Sequence, residues 1–281
     1  MKFRHAFLLP VCACSALVAT VLSSACSSSS DISPEARDAG PDIVILPPPD
    51  APAPWTPAVL RPALWLDGDN VVTVGEGVTQ WSDTSGYSND VTQPTATLRP
   101  KVTAFGGGHQ AVAFEGAQTM SIADSPSLRW GKDDFAFFTV LRFTGIKDTG
   151  DYAAIIYVKA PDGGGPGLRL FASKPPSQLW MGVENDMLKS PNSGYSDGKV
   201  HVTVIRRQGS KLDLRIDSLT VGTMTATPVD ISATGRNVLI GGSGSVEFLV
   251  GDIATFLGVR GAVSDESVAK VEAYLKERYK L

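Results

Sequence analysis

Residues 199–217 read KVHVTVIRRQGSKLDLRID. In Lys199–Arg206, Val200, Val202 and Val204 fall on one face, and His201 and Thr203 fall on the other. In Lys211–Asp217, Leu212, Leu214 and Ile216 alternate with Asp213, Arg215 and Asp217. Period two is the mark of a strand with one face turned to a core. Gln208-Gly209-Ser210 between the two runs supplies a turn, so they predict an antiparallel hairpin.

The same alternation extends outward. In Gln178–Glu184, Leu179, Met181 and Val183 alternate with Gln178, Trp180 and Glu184. Phe135–Phe143 is a denser apolar run, suited to a strand buried on both faces. Glycine clusters at 106–108, 163–165 and 241–242 separate the runs. One segment reads as a helix, at the C-terminus. Ser264 is its N-cap, Asp265 and Glu266 lie in its first turn, and Lys276, Arg278 and Lys280 lie in its last turns. Val268, Val271 and Leu275 make the stripe that docks it. The chain therefore reads as all-β with a short C-terminal helix.

Composition narrows the function. Of the 281 residues, 43% are hydrophobic and only 19% charged, enough for a sizeable core. The formal net charge of −4, with no basic stripe, argues against nucleic acid as a partner, because phosphate neutralisation supplies that affinity. The three cysteines, Cys12, Cys14 and Cys26, all lie near the N-terminus, so the folded region has no disulfide framework, cysteine nucleophile or thiolate metal site.

The N-terminus has the plan of an export signal over 1–25. Lys2 and Arg4 precede an apolar run from Ala6 to Leu22, diluted by Pro10, Ser15 and Thr20, and then Ser23-Ser24-Ala25-Cys26. The site resembles a bacterial lipobox with Cys26 as the lipidated residue. Ser23 stands where that pattern prefers Leu, which leaves ordinary cleavage and secretion open. Ser27 resembles the outer-membrane sorting pattern. Residues 26–58 read as a tether, with a serine tract at 27–30 and prolines at 47–49, 52, 54 and 57 that impose extended backbone.

The domain from 59 to 281 resembles a known family. It opens on Leu64-Trp65-Leu66-Asp67, followed by Trp81-Ser82-Asp83 with Ser85-Gly86 and Asn89, Pro100, and Val112-Ala113-Phe114-Glu115-Gly116. Later come Asp197-Gly198-Lys199-Val200-His201, Phe248, Gly251-Asp252-Ile253-Ala254 and a helix ending Tyr274-Leu275 and Tyr279. In order and spacing these are similar to the laminin-G-like domains of the concanavalin A-like lectin and glucanase superfamily. The resemblance implies a two-sheet antiparallel jelly-roll sandwich, with a glycan or a cell-surface protein as partner. The expected function is a surface-anchored, non-catalytic binding module, carbohydrate-binding or adhesive. A glycoside hydrolase or lyase of the jelly-roll type is the alternative, and a structural envelope lipoprotein is a third.

Jelly-roll glycosidases set carboxylates close together on a cleft strand. Glu184-Asn185-Asp186 is the nearest match, and Met187-Leu188-Lys189 follows where a second glutamate is needed. After the signal only His109 and His201 remain, and no serine sits in a strand-to-helix elbow. No cofactor is expected. Calcium is possible at Asp67, Asp69 and Asn70 or at Asp83, Asn89 and Asp90, without an assigned site. Trp180 alternates out of phase with its apolar neighbours, so the expected ligand-binding face combines Trp180, Glu184, His201, Thr203, Asp213 and Arg215. The indole would stack on a sugar ring and the charged groups would bond its hydroxyls. They converge only if their three strands are neighbours in one sheet.

Overall fold

The computed structural model describes residues 54–146, 153–160, 166–173, 178–183, 186–191, 195, 197–242 and 246–281. Cys26, the export signal, most of the tether and Glu184 lie outside the described residues. The folded unit runs from Ala53 to Leu281. Residues 54–58, expected in the tether, are therefore part of the fold, with Trp55 packed on its surface. Among the described residues no helix is long and apolar enough to cross a membrane.

The strands in chain order are β1 (Leu64–Val74), β2 (Gly77–Asp83), β3 (Val91–Thr92), β4 (Lys101–Ala104), β5 (Gln110–Glu115), β6 (Met120–Ile122), β7 (Phe135–Ile146) and β8 (Ala153–Lys159). There follow β9 (Leu168–Ser173), β10 (Leu179–Val183), β11 (Asp186–Lys189), β12 (Val200–Gln208), β13 (Lys211–Ile216), β14 (Leu219–Thr225), β15 (Val238–Ile240) and β16 (Leu249–Arg260). The chain closes with helix α1 (Asp265–Tyr279). One hydrogen-bonded path runs β11-β10-β9-β8-β15-β6-β3-β2-β4-β5-β16-β7-β12-β13-β14, with β1 pairing both β16 and β2. All the pairings are antiparallel.

The path folds back on itself into a sandwich-like arrangement. Leu170, Leu179 and Ile156 from one end of the path meet Ile205 and Leu214 from the other around a small gap. Between the layers lies the main core, which includes Leu66, Trp81, Phe114, Phe137, Tyr157, Leu188, Ile216 and Phe256. A second core lies outside the β5-β16-β7-β12 layer. There Phe138, Val140, Val202, Val204, Ala254 and Leu257 meet Val268, Val271, Leu275 and Tyr279 of α1. That layer is thus buried on both faces, which is why Phe135–Phe143 carries no polar alternation. Ser264 caps the helix by accepting the Ser267 N–H at 3.1 Å. Burying Val268, Val271 and Leu275 contributes on the order of 1.5–3 kcal/mol each.

The hairpin forms as expected, with Gln208 opposite Lys211 and a two-residue Gly209-Ser210 turn. Its faces differ from the expectation. Register sets Thr203 opposite Ile216 and Val204 opposite Arg215. Residues opposite each other share a face, so Val202 and Val204 belong with Arg215 beneath α1. His201, Thr203 and Ile205 belong with Leu212, Leu214 and Ile216 on the inner side. Period two locates the strand, but it does not say which of two buried faces takes which set.

Candidate functional site

Of the expected binding face, the described side chains do not converge on one open surface: Asp213 and Arg215 lie on the helix side, and His201 and Thr203 lie on the inner side. Strand β10, which carries Trp180, lies at one end of the path, and β12 and β13 lie at the other. Trp180 pairs in register with Phe171 of β9 and Lys189 of β11. Asp213 and Arg215 point to the helix side. Asp213 is 3% exposed and accepts from Arg206 Nη2 at 2.8 Å and from Arg206 Nε at 3.2 Å. Arg206 also donates to the Val263 carbonyl and pairs with Asp265 at the start of α1. Arg215 forms a two-toothed pair with buried Glu272 of α1, at 3.1 and 3.0 Å. The two charges expected to bond a ligand dock the helix instead, because the face they occupy is covered. Thr203 is buried in the inner layer.

His201 sits on the opposite face and is buried. Its Nδ1 lies 2.8 Å from Asp217 and its Nε2 lies 3.3 Å from Asp197. Tyr195 meets its ring edge-on, and Lys199 and Lys276 face the two carboxylates. The Asp217 hydrogen bond outweighs burial and, with Asp197, raises the His201 pKa. Burial acts to raise Asp197, yet the Lys199 N–H, the Lys199 ammonium and His201 bring it down to about 2. A base raised in the folded state adds stability that is full below its unfolded pKa and fades as pH climbs through the folded value. Denaturant unfolding should therefore show stability falling above about pH 6.5. His201→Gln should flatten that fall, and an unchanged slope in the variant would assign it to another group.

The groups that converge on open space lie elsewhere. A cleft of about 420 Å³ is lined by Trp55, Thr56, His109, Tyr274, Glu277 and Arg278 among others, a size within the range of small-ligand sites. Its floor is an ordered polar network. Asp69, in the part of β1 where its register with β2 shifts, accepts the Gln110 N–H at 2.8 Å and lies 2.6 Å from His109 Nδ1. Arg278 Nη2 bridges Asp69 at 2.9 Å and Asp67 at 2.8 Å. Burial raises the Asp69 carboxyl, but the bonds from His109 and Gln110 and the charge of Arg278 leave it below its ordinary range. Asp69 engages Nδ1, which leaves Nε2 as the second polar atom of the ring. That atom makes no hydrogen bond among the described residues.

The preceding glycines explain how His109 arrives there. A Cβ on Gly106 would sit 2.1 Å from the Tyr279 carbonyl oxygen, and one on Gly107 would sit 2.2 Å from that of Arg278. Only glycine lets this turn press against the end of α1. The histidine ring then stands edge-on to Tyr279, 5.4 Å between centroids.

The half-buried Trp55 and Tyr274 offer aromatic surface, and His109, Arg278, Glu277, Lys280 and Thr56 offer polar contacts. No serine or cysteine lines the cleft among the described residues. The suggested calcium ligands are otherwise engaged. Arg278 bridges Asp67 and Asp69, and Asp83 and Asp90 accept internal hydrogen bonds. Asn89 donates its side-chain amide to the Ala63 carbonyl. Among the described residues no group of three acidic, histidine or cysteine side chains is arranged to hold a metal.

No protein-family model matches the chain, and no curated protein matches it. Solved structures are similar in fold. An arabinofuranosidase complexed with arabinofuranosyl-α-1,2-xylobiose is 13% identical, with a TM-score of 0.58, over 72% of this chain and 51% of that one. Domain 4 of AbnA, a GH43 extracellular arabinanase from Geobacillus stearothermophilus in complex with arabinotriose, is 12% identical, with a TM-score of 0.53, over 75% of this chain and 98% of that one. The ligand-binding domain of botulinum neurotoxin serotype D, in complex with N-acetylneuraminic acid, is 13% identical, with a TM-score of 0.55, over 76% of this chain and 51% of that one. At such identity the likeness is one of fold alone. The chain spans about half the length of the arabinofuranosidase and neurotoxin structures and nearly all of the arabinanase domain.

Proposed function

We propose that this chain is a non-catalytic glycan-binding module built on a concanavalin A-like jelly roll and held at the bacterial surface by a lipid on Cys26. The observation that carries the reading is the cleft at His109. There two half-buried aromatic side chains adjoin a carboxylate-oriented imidazole and a guanidinium. A sugar ring offers an apolar face and a rim of hydroxyls, the two surfaces this cleft presents. The fold likeness to domains complexed with arabinotriose and with N-acetylneuraminic acid supports the class of ligand, not its identity.

Screening the chain on a glycan array that includes arabino-oligosaccharides and sialylated glycans, followed by titration calorimetry, tests the reading. Trp55→Ala should weaken binding by about 1–2 kcal/mol, roughly 5–30-fold, for the loss of one stacked aromatic contact. Binding to no glycan would sink it. The anchor has its own check in the intact mass of the mature chain. A diacylglyceryl group on Cys26 supports it, and a free chain starting at residue 27 or later opposes it.

A further inference from the structure

We propose a second binding site, for a sugar ring that carries a carboxylate, in the recess between Arg61 and Tyr87. The segment from Pro54 to Pro62 lines the His109 cleft with its first residues and this recess with its last. The recess is about 360 Å³, lined by Ala58, Arg61, Trp65, Thr84, Ser85 and Tyr87 among others.

Arg61 ends a short 3₁₀ turn, Pro57–Leu60, in the left-handed conformation at φ 49°. A residue other than glycine enters that region at an energetic cost, and six others among the described residues do so too, so the conformation fixes where Arg61 stands. The side chain is exposed, and its guanidinium has no ion pair or hydrogen bond among the described residues. Other arginines are engaged: Arg206, Arg215 and Arg278 hold carboxylates, and Arg207 donates to the carbonyls of Gly131 and Asp133. A free guanidinium presents a planar fork suited to a carboxylate.

The wall opposite Arg61 is prebuilt. Asp83 accepts from the backbone N–H groups of Trp65, Ser85 and Asn89, each at 2.9 Å, and from the Ser85 hydroxyl at 2.7 Å. The Trp65 carbonyl accepts the Thr84 N–H at 2.9 Å and the Thr84 hydroxyl at 3.1 Å. These bonds fix residues 83–89 and leave Tyr87, 57% exposed, beside half-buried Trp65. An aromatic pair next to a free guanidinium matches a pyranose bearing one anionic group, whether a uronic acid or a nonulosonic acid.

The test titrates the full chain with two probes, a glucuronic acid disaccharide and sialyllactose, and with the methyl ester of each. The expected result is saturable binding of at least one acid, weakened tenfold or more in its ester. Arg61→Gln should lose it to the same degree, and Arg61→Lys should retain part. Arg61→Gly should raise the melting temperature by relieving the left-handed strain while losing the acid, which separates site loss from misfolding. Trp55→Ala, whatever glycan binding it removes at the His109 cleft, should leave the ester-sensitive component of acid binding that Arg61→Gln removes, so the two sites stand or fall separately. Binding of neither acid, equal binding of acid and ester, unaltered binding in Arg61→Gln, or loss in Trp55→Ala with none in Arg61→Gln would each overturn the proposal.

Discussion

Asp213→Ala should cost about 3–5 kcal/mol of stability and leave glycan binding at the His109 cleft intact. Asp213 and Arg206 each have only 4% of their side chain exposed. Removing one partner of such a pair strands a desolvated charge, and that magnitude is typical of the result. Asp265 stays close to Arg206 but is 89% exposed, so it is a poor replacement. For a domain of this size each kcal/mol shifts the melting temperature by about 2–4 °C, giving a fall of about 6–20 °C. Replacing both partners with apolar residues, Arg206→Met with Asp213→Leu, should recover most of the loss, because the pair repays little beyond its own desolvation. A single variant that melts like the wild type would show that the pair is not buried as described.

Lys159→Met should have a comparable effect at the other end of the sandwich. The Lys159 side chain is fully buried, and its ammonium donates to Asp124 at 2.7 Å, to the Arg236 carbonyl at 2.8 Å and to the Ala233 carbonyl at 3.1 Å. Asp124 also accepts from Arg129 and from the Gly235 N–H, each at 2.7 Å. The Arg129 hydrogen bond, with Lys159 and Gly235, outweighs burial and holds Asp124 far below the usual carboxylate range. The ammonium thus ties β8 to the 233–236 turn and to the residues before β7. Losing it strands two carbonyls and unbalances a carboxylate, a cost of about 3 kcal/mol or more. Thermal unfolding followed by near-ultraviolet circular dichroism reads the loss, and hydrogen exchange should rise first around residues 233–236. A change below about 1 kcal/mol, the worth of an exposed pair, would contradict this account.

These two residues show where sequence reading succeeds and where it stops. Alternation in 199–217 locates β12 and β13 to within a residue or two, because a strand's period is set by its own backbone. The helix ends are readable too, since Ser264 and the charged turns act within one turn of their position. Which face of β12 and β13 is open is not readable, because α1 covers one of them from far along the chain, Arg215 and its partner Glu272 being 57 residues apart. The polar residues of β13 accordingly became ion pairs rather than ligand contacts. Lys159 closes an apolar run and looks like an ordinary solvent-facing strand end. Its three acceptors come from two distant turns, and nothing in its own neighbourhood announces them.

The cleft at His109 was hidden for the same reason. Asp69 and His109 are 40 residues apart, and Asp69 and Arg278 are 209 apart. Trp55 lies among prolines that read as tether. The one local signal was Gly106-Gly107-Gly108 immediately before His109. Three glycines before a histidine can mean a close backbone approach as well as a loose loop, and here they mean the approach to α1.

The most direct test is a two-dimensional NMR titration of the isotope-labelled chain with the best glycan from the array. The account predicts saturable shifts at the Trp55 indole N–H and the His109 ring, with the amides of Asp213 and Arg215 unmoved. Saturable shifts centred on β10 and β11 with Trp55 and His109 unmoved, or no shifts with any glycan, would contradict it.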